Sequence, residues 1–108
     1  MTEALPQPVQ ASIDATDAGD LDAFLATFTP DGAVDDWGRI FTGPEAITGW
    51  SDAEYIGKNL TLDVVSAELS DDTTVVVRVT VGGDGFNGPS TFTYTLDGAK
   101  VARMTIRE

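Results

Sequence analysis

The chain has no cysteine and no histidine among its 108 residues. The first absence excludes disulfide scaffolding, thiolate metal sites and cysteine catalysis. The second removes the commonest general base and metal ligand, and with it every Ser-His or Cys-His mechanism. Positive charge is scarce: Lys and Arg number 6 against 18 Asp and Glu, a formal net charge of −12. Residues 1 to 38 hold eight acids and no Lys or Arg at all. A basic phosphate-binding face cannot be built from that third, so neither nucleic acid nor an anionic membrane is an expected partner. Nor does the N-terminus offer the positive region of a secretory peptide, and no apolar run approaches a membrane span. A cytoplasmic location is the expectation. Asn59-Leu60-Thr61 matches a glycosylation sequon, read here as chance.

What is present fits one domain with one modest core, with 42% apolar residues. Met1 to Gln7, with one proline and Pro8 following, is expected to be a loose arm. Val9, Ile13 and Thr16 set a helix over about Pro8 to Asp17, stopped by Ala18-Gly19. Asp20 caps a second helix. Its stripe is Leu21, Phe24, Leu25 and Phe28, at i, i+3, i+4 and i+7. Pro30-Asp31-Gly32 reads as a turn, Ala33 to Trp37 as a short strand, and Ile40-Phe41 as part of another. Gly43-Pro44-Glu45 opens a third helix, with Ile47, Trp50 and Tyr55 on its buried side and Gly57 at its end.

The remainder has the period of β structure. Leu60, Leu62 and Val64 alternate, then Val65, Ala67 and Leu69 alternate in the opposite phase, which requires a bulge near Val64-Val65. Val75, Val77, Val79 and Val81 form one face of the next strand, with Val76, Arg78 and Thr80 on the other. Gly82 to Gly88 is a glycine-rich loop. Phe92, Tyr94 and Leu96 alternate with Thr91, Thr93 and Thr95. Asp97-Gly98 turns the chain into a last strand, Lys100 to Arg107. Helices first and a long antiparallel meander after them give an α+β fold, with the helices on one face of a curved sheet.

This order resembles the nuclear-transport-factor-2-like superfamily, the cystatin-like α+β cone, and within it the SnoaL-like and ketosteroid-isomerase-like small proteins. The residues that carry the resemblance are Gly19-Asp20-Leu21-Asp22-Ala23-Phe24, Phe28-Thr29-Pro30-Asp31 and Ala33-Val34-Asp35-Asp36. To these add Thr42-Gly43-Pro44-Glu45-Ala46-Ile47 with Trp50, and the hairpin from Asp97-Gly98 to Val101-Ala102-Arg103-Met104-Thr105-Ile106. It covers the chain from Val9 onward. It implies three N-terminal helices on a curved, mostly antiparallel sheet, a pocket for a small apolar ligand, and a homodimer formed through the sheet. No cofactor or metal is implied.

By the same resemblance Asp36 falls at the isomerases' general-base position. Alternation places it independently on the inward face with Val34. Desolvation at the rim of an apolar cone would make such a carboxylate a better proton acceptor. The structural alternative is an aspartate bonded to backbone or paired with Arg39 or Arg78. Asp35, on the opposite face, is expected to be solvated or paired. The isomerases' first-helix tyrosine falls at Ser12, which the resemblance therefore places at the pocket, and their strand aspartate falls near Phe92 or Thr93, so their oxyanion hole is not matched. The epoxide hydrolases' Asp-Arg-Asp arrangement is imitated in part by Asp36 with Arg78.

Trp37, Trp50 and Tyr55 either line a ligand cavity or serve as plain core. Arg78 either holds a ligand anion, pairs with Asp36, or sits on the polar outer face or a subunit contact. Asp14, Asp17, Asp20 and Asp22 lack the spacing of a calcium loop and read as a solvated helix face plus a cap. Two functions follow. One is a small-molecule-binding protein, with acid–base chemistry of the isomerase or cyclase type through Asp36. The alternative is a non-catalytic dimerisation or partner-binding module whose pocket is filled by its own side chains.

Overall fold

Gly19 adopts φ 69°, and the N–H groups of Gly19 and Asp20 close onto the Thr16 and Ala15 carbonyls, ending the first helix. That helix, α1, spans Gln7–Ala18 in a computed structural model that describes residues 5–107. Of the expected N-terminal arm, residues 1–4 lie outside the described residues; Leu5 packs against the core. Asp20 accepts a hydrogen bond from Ala23 N at 3.1 Å and caps α2, Leu21–Ala26, a device worth about 1 kcal/mol. The apolar stripe outlasts this helix: Phe28 already belongs to strand β1, Phe28–Asp36, and meets Phe24 edge-on at 5.2 Å.

Pro30-Asp31-Gly32 is not a turn. It is an irregular stretch within β1 where the register against the last strand shifts. Proline has no N–H for a ladder, so the strand bows there and resumes regular pairing at Ala33. A two-residue turn leads to β2, Arg39–Thr42, and Pro44 opens α3, Pro44–Glu54. Tyr55 ends α3 and a single 3-10 turn, Ile56–Lys58, follows. Gly57 lies inside that turn instead of ending the helix. A Cβ there would collide with the Asp52 carbonyl, so glycine permits a close approach.

Four strands complete the sheet: β3 Thr61–Asp71, β4 Thr74–Gly82, β5 Gly88–Asp97 and β6 Lys100–Arg107. The order is β2-β1-β6-β5-β4-β3, antiparallel throughout except for β1 beside β6. The register of β3 against β4 shifts between Val64 and Ser66, where the two hydrophobic phases of β3 meet. Val75, Val77, Val79 and Val81 are all buried, joined by Phe92, Tyr94, Val101, Met104 and Ile106 from the neighbouring strands. The helices contribute Val9, Ile13, Phe24, Ile47 and Trp50 to the same core. Burying each such side chain is worth about 1.5–3 kcal/mol. Among the described residues no helix is long and apolar enough to cross a membrane.

Asp14 and Asp17 of α1 have structural partners. Asp14 accepts from Gln10, and Asp17 accepts from Leu62 N at 2.7 Å, tying α1 to β3.

Candidate functional site

The turn between β1 and β2 organises the mouth of the cone. Asp36 pairs with Arg39 across a loop of only Trp37 and Gly38, both with positive φ (55° and 89°). A two-residue loop with this backbone is a type I′ turn, which follows the twist of the strands it joins. Gly38 N donates to Asp35 Oδ1 at 2.8 Å and Trp37 N to the Ile106 carbonyl at 3.3 Å, fixing the turn to its own strand and to β6. Strand alternation then sends Asp36 inward and Asp35 outward.

Behind Asp36 stands α3. Trp50 Nε1 donates to Asp36 Oδ2 at 3.0 Å, and Arg39 donates to the same oxygen at 2.5 Å. Arg39 also holds both oxygens of Glu54, at 2.7 and 2.9 Å, and lies over the Phe41 ring. The result is an acid–arginine–acid cluster, Asp36–Arg39–Glu54, at the rim. Its bonds to Arg39 hold the Glu54 carboxyl below the usual carboxylate range against an opposing effect of burial. Arg39 is pushed up in turn, first by Glu54 and then by Asp36. The Asp36 side chain is 15% exposed, and its Oδ1 accepts no hydrogen bond among the described residues.

These residues border a cleft of about 360 Å³. Its inner wall is buried: Trp50 stacks on Tyr55 with ring centres 4.7 Å apart, and Tyr55 meets Phe92, with Leu60, Val81 and Ile106 beside them. Its lips are exposed: Trp37 from the β1–β2 turn and Phe86 from the β4–β5 loop, each 59% accessible. Lys58 also borders the space and forms no ion pair among the described residues.

Four of the residues expected at a site, Asp36, Trp37, Trp50 and Tyr55, therefore meet at one cleft. Two do not. Arg78 is exposed on the outer face of β4, because the valines on either side of it take the inward positions. It cannot complete an Asp-Arg-Asp arrangement with Asp36; Arg39 occupies that place. Ser12 is fully buried in α1 among core residues, away from the cleft wall. Its Oγ and the Tyr94 Oη are buried without a hydrogen bond of full geometry, although Ser12 lies close enough to act on the Tyr94 hydroxyl. Burial pushes both Tyr94 and Tyr55 well above the usual phenol range. Thr16 Oγ1 meets Tyr55 Oη at 3.1 Å, which anchors the ring from below.

Glu54, Lys58 and Phe86 were not singled out by the sequence. Glu54 had a signal: it lies four residues after Trp50 on α3, hence on the same helix face. Lys58 and Phe86 had none, since their places depend on the 3-10 turn and on a loop with no periodicity.

Residues 9–105 match the SnoaL-like domain. The chain belongs to this family. Its architecture is that of the nuclear-transport-factor-2-like superfamily, as sequence and fold both indicate. A Sinorhizobium meliloti protein named as a proposed polyketide cyclase shares 30% identity with this SnoaL-like chain, over 95% of each, with a TM-score of 0.86. A Catenulispora acidiphila protein of ketosteroid-isomerase-like fold, solved with trimethylamine, is 22% identical over 97% of this chain and 87% of its own (TM-score 0.82). A computationally designed 17-OHP binder is 17% identical over 94% and 88%, with a TM-score of 0.79. No curated protein matches the sequence.

Proposed function

We propose that this SnoaL-like protein binds a small, largely apolar molecule in the cleft at the mouth of the cone, and that Asp36 is the group that accepts a proton from it. The observation that carries the reading is the position of Asp36. It is an inward, mostly buried carboxylate on an aromatic-lined cleft, with Oδ2 held by Trp50 and Arg39 and Oδ1 uncommitted. A carboxylate fixed on one oxygen presents the other in a defined direction, which is what proton transfer from a bound carbon or hydroxyl acid requires. A protein named as a proposed polyketide cyclase and a designed 17-OHP binder, both of this fold, support the ligand class. The test is exchange of α-hydrogens for deuterium in a panel of cyclic ketones, followed by NMR. Acceleration by the protein, lost in Asp36→Asn, supports the reading; binding without exchange removes the chemistry and leaves the binding.

One observation favours the non-catalytic alternative. Behind the cleft, Phe24, Tyr55, Phe92 and Tyr94 are buried against one another, so these side chains fill core space that a larger ligand would need. Absence of binding by any apolar probe would favour it.

The sheet is proposed to pair two copies of the chain. Val65 and Leu69 of the edge strand β3 are more than half exposed, and β5, on the far side of β4, carries a row of threonines. Light scattering at varied salt tests this: a dimer mass supports it, and a monomer mass at micromolar concentration overturns it.

A further inference from the structure

Trp37 occupies a backbone conformation that a large side chain rarely adopts. At φ 55° it is the first central residue of a type I′ turn, a position dominated by Asn, Asp and Gly. The strain gains no burial in return, since the ring is 59% exposed. Phe86 repeats the pattern from the other side, equally exposed, on the loop between β4 and β5.

Looseness does not explain either exposure. The turn under Trp37 is tied at Gly38 N and at Trp37 N. The loop under Phe86 is laced by Asn87 Nδ2 donating to the Gly83 and Gly85 carbonyls, at 2.9 and 3.2 Å. Asp84 ties it further, to Asn59 and to the Lys58 carbonyl. Gly88, beside the Phe86 ring, takes φ 143°, a conformation that side-chain-bearing residues rarely adopt. Both rings border the one cleft, and neither makes a ring contact among the described residues. Two aromatic side chains held out on fixed supports, at the cost of backbone strain at Trp37, are pre-organised for a partner that supplies the missing contacts.

We propose that Trp37 and Phe86 are the two jaws of a clamp that selects a flat, unsaturated and uncharged ring system at the mouth of the cleft. The lack of charge follows from the lining: Asp36 and Glu54 are balanced by Arg39 and Lys58, on a chain of net charge −12. Flatness follows from the jaws, because aromatic faces reward stacking beyond the area they bury. The proposal rests on the cleft being a ligand site, as argued above.

The test is calorimetric titration with two compounds of one skeleton, 2-naphthol and its fully saturated decahydro analogue. The wild-type protein is expected to bind the planar compound roughly three- to tenfold more tightly. Trp37→Leu and Phe86→Leu keep an apolar side chain without a ring face, and each is expected to bring that ratio toward one. Trp37→Asn is expected to raise the melting temperature, because asparagine accepts the turn conformation, while losing the planar preference. Equal binding of the two compounds to the wild type, or a ratio unchanged in both leucine variants, overturns the clamp and leaves the cleft as a ligand site. Failure of both compounds to bind overturns the clamp together with the reading it rests on.

Discussion

Asp35 and Asp36 stand side by side on β1 and face opposite sides of the sheet, and the two sides use a carboxylate differently. Outward, Asp35 accepts from Gly38 N, from Arg107 on both oxygens at 3.0 and 3.3 Å, and lies 3.8 Å from Arg103. Arg107 also donates to the Ile106 carbonyl. One side chain thus ties the turn to the end of β6. Inward, Asp36 borders the cleft with Oδ2 committed to Arg39 and Trp50 and Oδ1 without a hydrogen bond among the described residues. Saturation of hydrogen-bonding capacity marks the structural carboxylate. Under the proposed function, the incompletely saturated carboxylate at the cavity is the one that does the chemistry.

The comparison breaks most sharply in function. Asp36→Asn is expected to lower any α-hydrogen exchange by at least about a hundredfold, since an amide is no base at neutral pH, whereas Asp35→Asn leaves it near wild type. An equal loss in both variants would make the two carboxylates one structural unit.

Acid separates them next. The Arg107 hydrogen bond, then the Gly38 N–H, hold the Asp35 carboxyl below its ordinary value of 3.8. The contribution is therefore fully present above the unfolded-state value and is lost as pH falls through the folded one. The stability difference between wild type and Asp35→Asn is expected to be constant above about pH 5 and to shrink below about pH 4. Denaturation curves across that range check it; a gap that widens with acid would contradict it.

A smaller effect is expected where neither aspartate acts. Tyr94→Phe removes a buried hydroxyl that lacks a full hydrogen bond, and should change stability by no more than about 1 kcal/mol, in the stabilising direction. A larger loss in urea melts would reveal a partner for that hydroxyl. The smallest effect belongs to Arg78→Ala: on an exposed outer face it should shift the stability of a monomer by less than about 0.5 kcal/mol. A large loss that depends on protein concentration would place Arg78 at a subunit contact.

Much of the fold was legible because its signals are local. The valines of β4 and the phase switch in β3 announce strand faces and a bulge, and both occur where the alternation puts them. What was not legible depends on pairing. Pro30-Asp31-Gly32 has turn composition, yet the ladders on either side of it hold the segment within β1. The site divides in the same way. Asp36 and Trp50 follow from strand and helix periodicity. Arg39 and Arg78 are both candidate partners of Asp36 in the sequence; the choice of Arg39 follows only once Trp37-Gly38 is recognised as a two-residue turn, a reading that tryptophan's poor fit to such turns discourages. Ser12 is expected at the pocket only because it falls at the isomerases' tyrosine position; its place on α1 turns it into the core.

The central claim is that Asp35 holds the structure and Asp36 serves the cleft. Thermal melts of Asp35→Asn and Asp36→Asn beside the wild type test it most directly. In Asp36→Asn the side-chain oxygen still accepts from Trp50, and Arg39 keeps both of its hydrogen bonds to Glu54. In Asp35→Asn an amide N–H group replaces one acceptor facing Arg107. The account predicts a melting temperature lowered by several degrees for Asp35→Asn and close to wild type for Asp36→Asn. A fall for Asp36→Asn as large as that for Asp35→Asn would contradict it, making Asp36 a structural ion-pair residue.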